Sequence, residues 1–173
     1  TLAATAAGAL AGCASTATIP SKARVVVLGG GYGGATAAKY VRMLSNYKID
    51  VVMVEPNGAF VSCPISNLVI GGSKTLSDIT TPYDHLSGKH GVQMVKDMVS
   101  AIDAKGKRVT LAGGASIGYD KLILSPGIDM MWDSIEGARE ANASGQILQA
   151  WKAGPETQAL RRQLESMPDG GVY

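Results

Sequence analysis

The sequence predicts an α/β domain built on a parallel sheet, and three observations predict it. Arg24 to Leu28 (RVVVL) is a short, β-branched apolar run, the pattern of a strand buried on both faces. Gly29-Gly30-Gly31-Tyr32-Gly33-Gly34 follows at once, and Ala35 to Leu44 has helical composition. Asp50 to Val54 (DVVMV) is a second apolar run, closed by Glu55. Strand, glycine turn, helix and strand in that order make a Rossmann-like βαβ unit from Lys22 to Glu55.

The glycines satisfy G-x-G-x-x-G through Gly29, Gly31 and Gly34. Gly29 permits the tight turn, Gly31 leaves room for a pyrophosphate, and Gly34 lets the helix pack close to the strand. The helix start offers free N–H groups and a positive dipole end to phosphates. Glu55 stands about 20 residues past the glycines, where a carboxylate grips ribose hydroxyls and repels a 2′-phosphate. The unit therefore predicts a dinucleotide other than NADP.

An NAD dehydrogenase would continue with further βαβ units. Here a long loop follows, then a short helical patch near Pro82 to Ser87. Short strands are predicted at Val92 to Val95, Met98 to Ile102, Arg108 to Leu111 and Ala115 to Ile117. Turn signals at Asp103-Ala104-Lys105-Gly106 and Gly113-Gly114 separate the later ones, giving a β-meander. Lys121 to Leu124 (KLIL) is a buried strand ending in Ser125-Pro126-Gly127. This order resembles the three-layer ββα FAD domain of the glutathione-reductase-like flavoproteins. The resemblance makes FAD the dinucleotide and Gly127 part of a second FAD contact. Pro155 to Met167 is predicted as a helix, with Pro at its first turn and Pro168 after its end. The expected organisation is a leader and linker over 1–21, the first part of an FAD-binding domain over 22–137, and a connection over 138–173. That connection opens a second nucleotide-fold domain, whose first strand would begin at Gly171.

Apolar content of 46% against 17% charged residues supports a buried core and excludes a disordered chain. A net charge of +2 with no basic run gives no argument for nucleic acid. Leu2 to Gly12 is nearly all Ala, Gly and Leu, about the length of a signal-peptide core and too short to span a bilayer. Export to the periplasm is the expectation, by either the general or the twin-arginine route. Leu10-Ala11-Gly12-Cys13 has the form of a lipobox, and chance composition explains it equally simply. Membrane attachment is expected only if Cys13 carries lipid. Thr1 at the start and Gly170-Gly171-Val172-Tyr173 at the end suggest part of a longer protein, which alone would fold poorly or bind FAD weakly.

The loop after Glu55 narrows the function. VVVLGGGYGGATAAKY, VEPN, SCPISNLVIGG, AGGASIGYDKLILSPGI, IEG and AWKAG together resemble the flavoprotein subunit of flavocytochrome c sulfide dehydrogenase. The resemblance runs from about Lys22 to Tyr173, and Cys-x-x-Ser-Asn-x-x-Ile-Gly-Gly from Cys63 is its most specific part. It implies that Cys63 carries FAD through a thioether to the 8α carbon, with a thiolate as the nucleophile. A thioether there prevents loss of FAD after export. Without the resemblance, a lone Cys63 would be read as a small buried hydrophobe. The resemblance also implies that Val99 contacts the adenine through its backbone. It implies sulfide as substrate, a redox disulfide beyond Tyr173, and a c-type cytochrome subunit as electron acceptor. No C-x-x-C-H is present, so the haem would belong to that partner. The alternatives are a sulfide:quinone oxidoreductase, told apart by its acceptor, and a non-catalytic accessory flavoprotein, told apart by lacking the redox cysteines.

Other residues carry weaker expectations. No metal site is predicted. His85 and His90 fall in a polar loop and suit solvated or capping roles. Asp120 and Lys121 suit a surface pair. Packing accounts for Trp151.

Overall fold

The computed structural model describes residues 23–172. Its elements follow in chain order. The βαβ unit is β1 (Arg24–Leu28), α1 (Tyr32–Leu44) and β2 (Asp50–Val54). The loop region holds β3 (Ala59–Val61), α2 (Asn67–Ile70), β4 (Thr80–Pro82) and α3 (Asp84–His90). Then come β5 (Gln93–Val95), β6 (Val99–Asp103), β7 (Arg108–Leu111), β8 (Ser116–Gly118) and β9 (Lys121–Leu124). The chain continues through α4 (Ala138–Ala143) and α5 (Pro155–Ser166).

Four strands form a parallel sheet in the order β5-β2-β1-β9. In register across the middle, Val26 lies beside Val52 and Leu122. Side chains alternate faces along a strand. Val25, Val27, Val51 and Met53 pack with Ala38, Tyr83 and Val92 on the helix side. Val26, Leu28, Val52 and Val54 pack with Val109 and Leu111 on the other. The meander β6-β7-β8 covers that second face. Helices, parallel sheet and meander are the three predicted layers. A strand buried on both faces cannot alternate apolar with polar, which is why β1 and β2 are legible as continuous runs.

The structure corrects several expectations. Lys121–Leu124 is not a buried strand: β9 is the edge of the sheet, with Lys121 and Leu124 exposed. Gln93–Val95 is not in the meander; β5 joins β2 in the parallel sheet. Helix α3 provides the crossover that a parallel pairing needs. The meander keeps three strands, with a bulge between Val99 and Ala101. Asp120 does not pair with Lys121, because neighbours in an extended chain point apart; its carboxylate accepts the Arg24 N–H at 2.6 Å. Trp151 is 70% exposed, so packing does not account for it. Helix α5 has the predicted Pro at its start and lies on α2, with Arg161 donating to the Ile70 carbonyl. Gly171 and Val172 are outside any strand. The leader, Cys13 included, lies outside the described residues. Among the described residues no helix is long and apolar enough to cross a membrane.

A further correction is His90, which ends α3 and is buried, whereas His85 is exposed. Arg42 of α1 draws it in, donating to the His90 carbonyl at 2.9 Å and to those of Ile49 and Tyr47. The imidazole Nδ1 is buried without a partner. Desolvation holds the His90 pKa below its ordinary value, and Lys39, Lys89 and His85 push it the same way. The fold therefore prefers neutral His90, and below about pH 6.5 the unfolded chain binds the extra proton. Stability is expected to be full above that value and to decline as pH falls through it. Urea midpoints measured across this range should flatten in His90→Asn; an unchanged slope would assign the acid sensitivity to other groups.

Candidate dinucleotide site

The turn after β1 is built from backbone contacts. Gly29 takes φ +94°, a conformation that side chains resist, and donates its N–H to the Val54 carbonyl at 2.9 Å. A Cβ on Gly29 would overlap the Ser125 carbonyl, and a Cβ on Gly34 would overlap the Gly29 carbonyl. The first contact seats Ser125 and Pro126 against the glycine turn. The second sets the close approach of α1 to β1. Around Gly31 nothing would meet a Cβ within 4 Å. Gly31 is also the N-cap of α1, with no side-chain cap and no acid in the first turn. The first-turn N–H groups thus have no side-chain cap and no acid beside them, which suits the seating of an anion.

Glu55 closes the site from β2 and is 8% exposed. Its Oε2 accepts the Gly30 N–H at 2.7 Å. Its Oε1 accepts the backbone and side-chain N–H groups of Asn57 at 2.9 and 2.7 Å. A carboxylate has about four acceptor positions, so about one is left for a ligand hydroxyl. The structure thus brings Gly29, Gly31, Gly34 and Glu55 together at the carboxyl ends of β1 and β2, with Ser125, after β9 and two residues before Gly127, against Gly29. That is where open α/β sheets bind ligands. Val99 stands apart from the turn, at the start of β6, half-buried against the meander-side core.

Cys63 lies on the loop after β3, and its thiol is exposed rather than buried. The loop is tied to the glycine turn by Tyr32, the first residue of α1. The Tyr32 hydroxyl meets Ser62 Oγ at 2.5 Å, and its ring meets Phe60 edge-on at 4.7 Å. Ser66 Oγ donates to the Cys63 carbonyl at 2.7 Å. From the other side the Ala153 N–H approaches Cys63 Sγ at 3.4 Å. Cavities of about 330 and 630 Å³ lie along Thr75, Leu76 and Gln158 and include none of the predicted site residues.

Two members of the site gave no signal in the sequence. Gly30 occupies a free position of the motif, yet a Cβ on it would overlap the Tyr83 hydroxyl. Tyr83 is buried and donates to the Gly30 carbonyl at 3.0 Å. Burial, and then the Glu55 charge, push its pKa up to about 12. A contact spanning 53 residues leaves no local pattern.

The geometry can be compared with known proteins. Residues 23–163 match the model of the pyridine nucleotide-disulphide oxidoreductases. The chain belongs to that family. Within it, the chain also belongs with the sulfide dehydrogenase [flavocytochrome c] flavoprotein. It is 61% identical over 46 residues to that flavoprotein chain from Chlorobaculum thiosulfatiphilum, covering 27% of this chain and 94% of that sequence. The mitochondrial sulfide:quinone oxidoreductase of Dictyostelium discoideum is 32% identical over 117 residues, covering 68% of this chain and 26% of the relative. The crystal structure of the Aquifex aeolicus sulfide:quinone oxidoreductase superposes with a TM-score of 0.70 at 24% identity, over 83% of this chain and 32% of that one. That last likeness establishes the fold. The chain spans about a quarter to a third of the length of the two sulfide:quinone oxidoreductases.

Proposed function

We propose that this chain forms the FAD-holding part of a sulfide-oxidising flavoprotein, with Cys63 as the covalent attachment point. The observation that carries the reading is the exposed Cys63 thiol on a loop that Tyr32 fastens to the glycine turn. The open flank of Gly31 and the uncapped start of α1 fit a pyrophosphate, and the acceptor left on Glu55 fits a ribose hydroxyl. FAD supplies two-electron acceptance from a reduced sulfur substrate and one-electron release to an acceptor. The protein residues seat the diphosphate, hold the ribose and supply the thiol. Val99 and Gly127 complete the proposed FAD contacts.

The relative from Chlorobaculum thiosulfatiphilum is the flavoprotein chain of a flavocytochrome c, which supports a c-type cytochrome as acceptor. The other relatives support a second reading, with quinone as acceptor. Export to the periplasm belongs to the first reading, and the mass of the mature N-terminus tests both cleavage and lipid at Cys13.

The deciding experiment is acid precipitation of the full-length protein. Flavin is expected in the pellet of the wild type and in the supernatant of Cys63→Ala. Flavin retained by the variant would overturn the attachment. Sulfide-dependent reduction of cytochrome c, measured against quinone reduction, separates the two acceptors.

A further inference from the structure

We propose that Tyr83 is a positioning residue that aims the Gly31 N–H at the ligand diphosphate. The proposal rests on the FAD reading above and deepens it. The Tyr83 hydroxyl donates to the Gly30 carbonyl at 3.0 Å, and both groups are buried. That carbonyl shares a peptide unit with the Gly31 N–H. The described residues contain no cis peptide bond, and in a trans peptide the two groups point in opposite directions. Tyr83 lies on the buried side, so the Gly31 N–H points away from it, and the space beside the Gly31 Cα is open, with nothing within 4 Å of a Cβ. Among the described residues no protein group accepts it.

The neighbouring peptide is fixed independently. Glu55 Oε2 accepts the Gly30 N–H at 2.7 Å, so the two units that flank the Gly30 Cα are each held by one long-range partner. Neither can rotate without breaking a buried hydrogen bond, which leaves a polar group unsatisfied. A phenol pKa of about 12 keeps Tyr83 a donor throughout the neutral range. Preorganisation of this kind raises affinity by removing the cost of ordering the turn on binding.

Full-length holoprotein tests this by phosphorus NMR. In Tyr83→Phe, a resonance of the bound FAD diphosphate is expected to move toward its free position, with the visible flavin spectrum unchanged. In a Cys63→Ser background, where binding is reversible, Tyr83→Phe is expected to weaken FAD binding about tenfold. A residue that only fills space would move neither. Should Tyr83→Phe fail to fold, hydrogen exchange in the wild type still decides. The Gly31 amide is expected to be protected in the holoprotein, and fast exchange there would overturn the proposal. Flavin-loaded wild type with unmoved resonances in the variant sinks the role of Tyr83 alone. Wild type purified without flavin would sink the FAD reading itself.

Discussion

Gly31→Val is expected to leave the fold intact and remove flavin binding, whereas Gly34→Ala is expected to weaken both. The two glycines belong to one motif and fail for different physical reasons. Gly31 has φ −68°, which any residue adopts, and a side chain on it would enter open space. Its substitution should change stability by no more than about 0.5 kcal/mol, as at an ordinary surface position. The same side chain would fill the seat of the pyrophosphate. FAD affinity should fall at least about a hundredfold, roughly 2.7 kcal/mol. A Cβ on Gly34 instead overlaps the Gly29 carbonyl. Both partners are backbone, so no rotamer relieves the clash, and α1 must lift from β1. Overpacking of this kind should cost on the order of 3 kcal/mol. Urea denaturation and FAD titration of full-length protein in a Cys63→Ser background would measure both. Near-wild-type FAD binding by Gly31→Val would remove the pyrophosphate from this turn. Near-wild-type stability of Gly34→Ala would mean that α1 approaches β1 less closely.

What could be read in advance was whatever the fold writes locally. Strands β1 and β2 are buried on both faces, and each is a continuous apolar run. The turn between β1 and α1 needs glycine at fixed spacings, so its residues announced themselves. Strand β5 shows the boundary of this legibility. Its three residues said strand, but its parallel neighbour β2 is set by the α3 crossover, which no short window contains. His90 looked like a loop residue because the hydrogen bond that its carbonyl accepts comes from Arg42, 48 positions earlier. Cys63 was identified by a family pattern, and only the structure shows the Tyr32–Ser62 contact that ties its loop to the glycine turn. Tyr83 and Gly30 are joined across the chain and matter through a carbonyl, which carries no residue identity.

Glu55→Gln is expected to be a severe substitution despite its matching size. In the native site both carboxylate oxygens are acceptors: Oε2 for the Gly30 N–H, and Oε1 for the two N–H groups of Asn57. An amide has one oxygen and one NH₂ group, so it can serve only one side. If its oxygen faces Gly30, its NH₂ confronts the Asn57 N–H groups; if it turns over, it confronts the buried Gly30 N–H. Either way a donor meets a donor, with a loss of about 2–3 kcal/mol. Release of the Gly30 N–H frees one of the two peptide units that hold the turn, so ligand affinity should fall together with stability. Glu55→Asp keeps both acceptor oxygens on a shorter stem, and its defect should lie more in reach than in hydrogen-bond type. Urea midpoints and FAD dissociation constants for the two variants, again in the Cys63→Ser background, test this. A Glu55→Gln protein as stable as Glu55→Asp would show that the paired-acceptor arrangement does not hold the glycine turn.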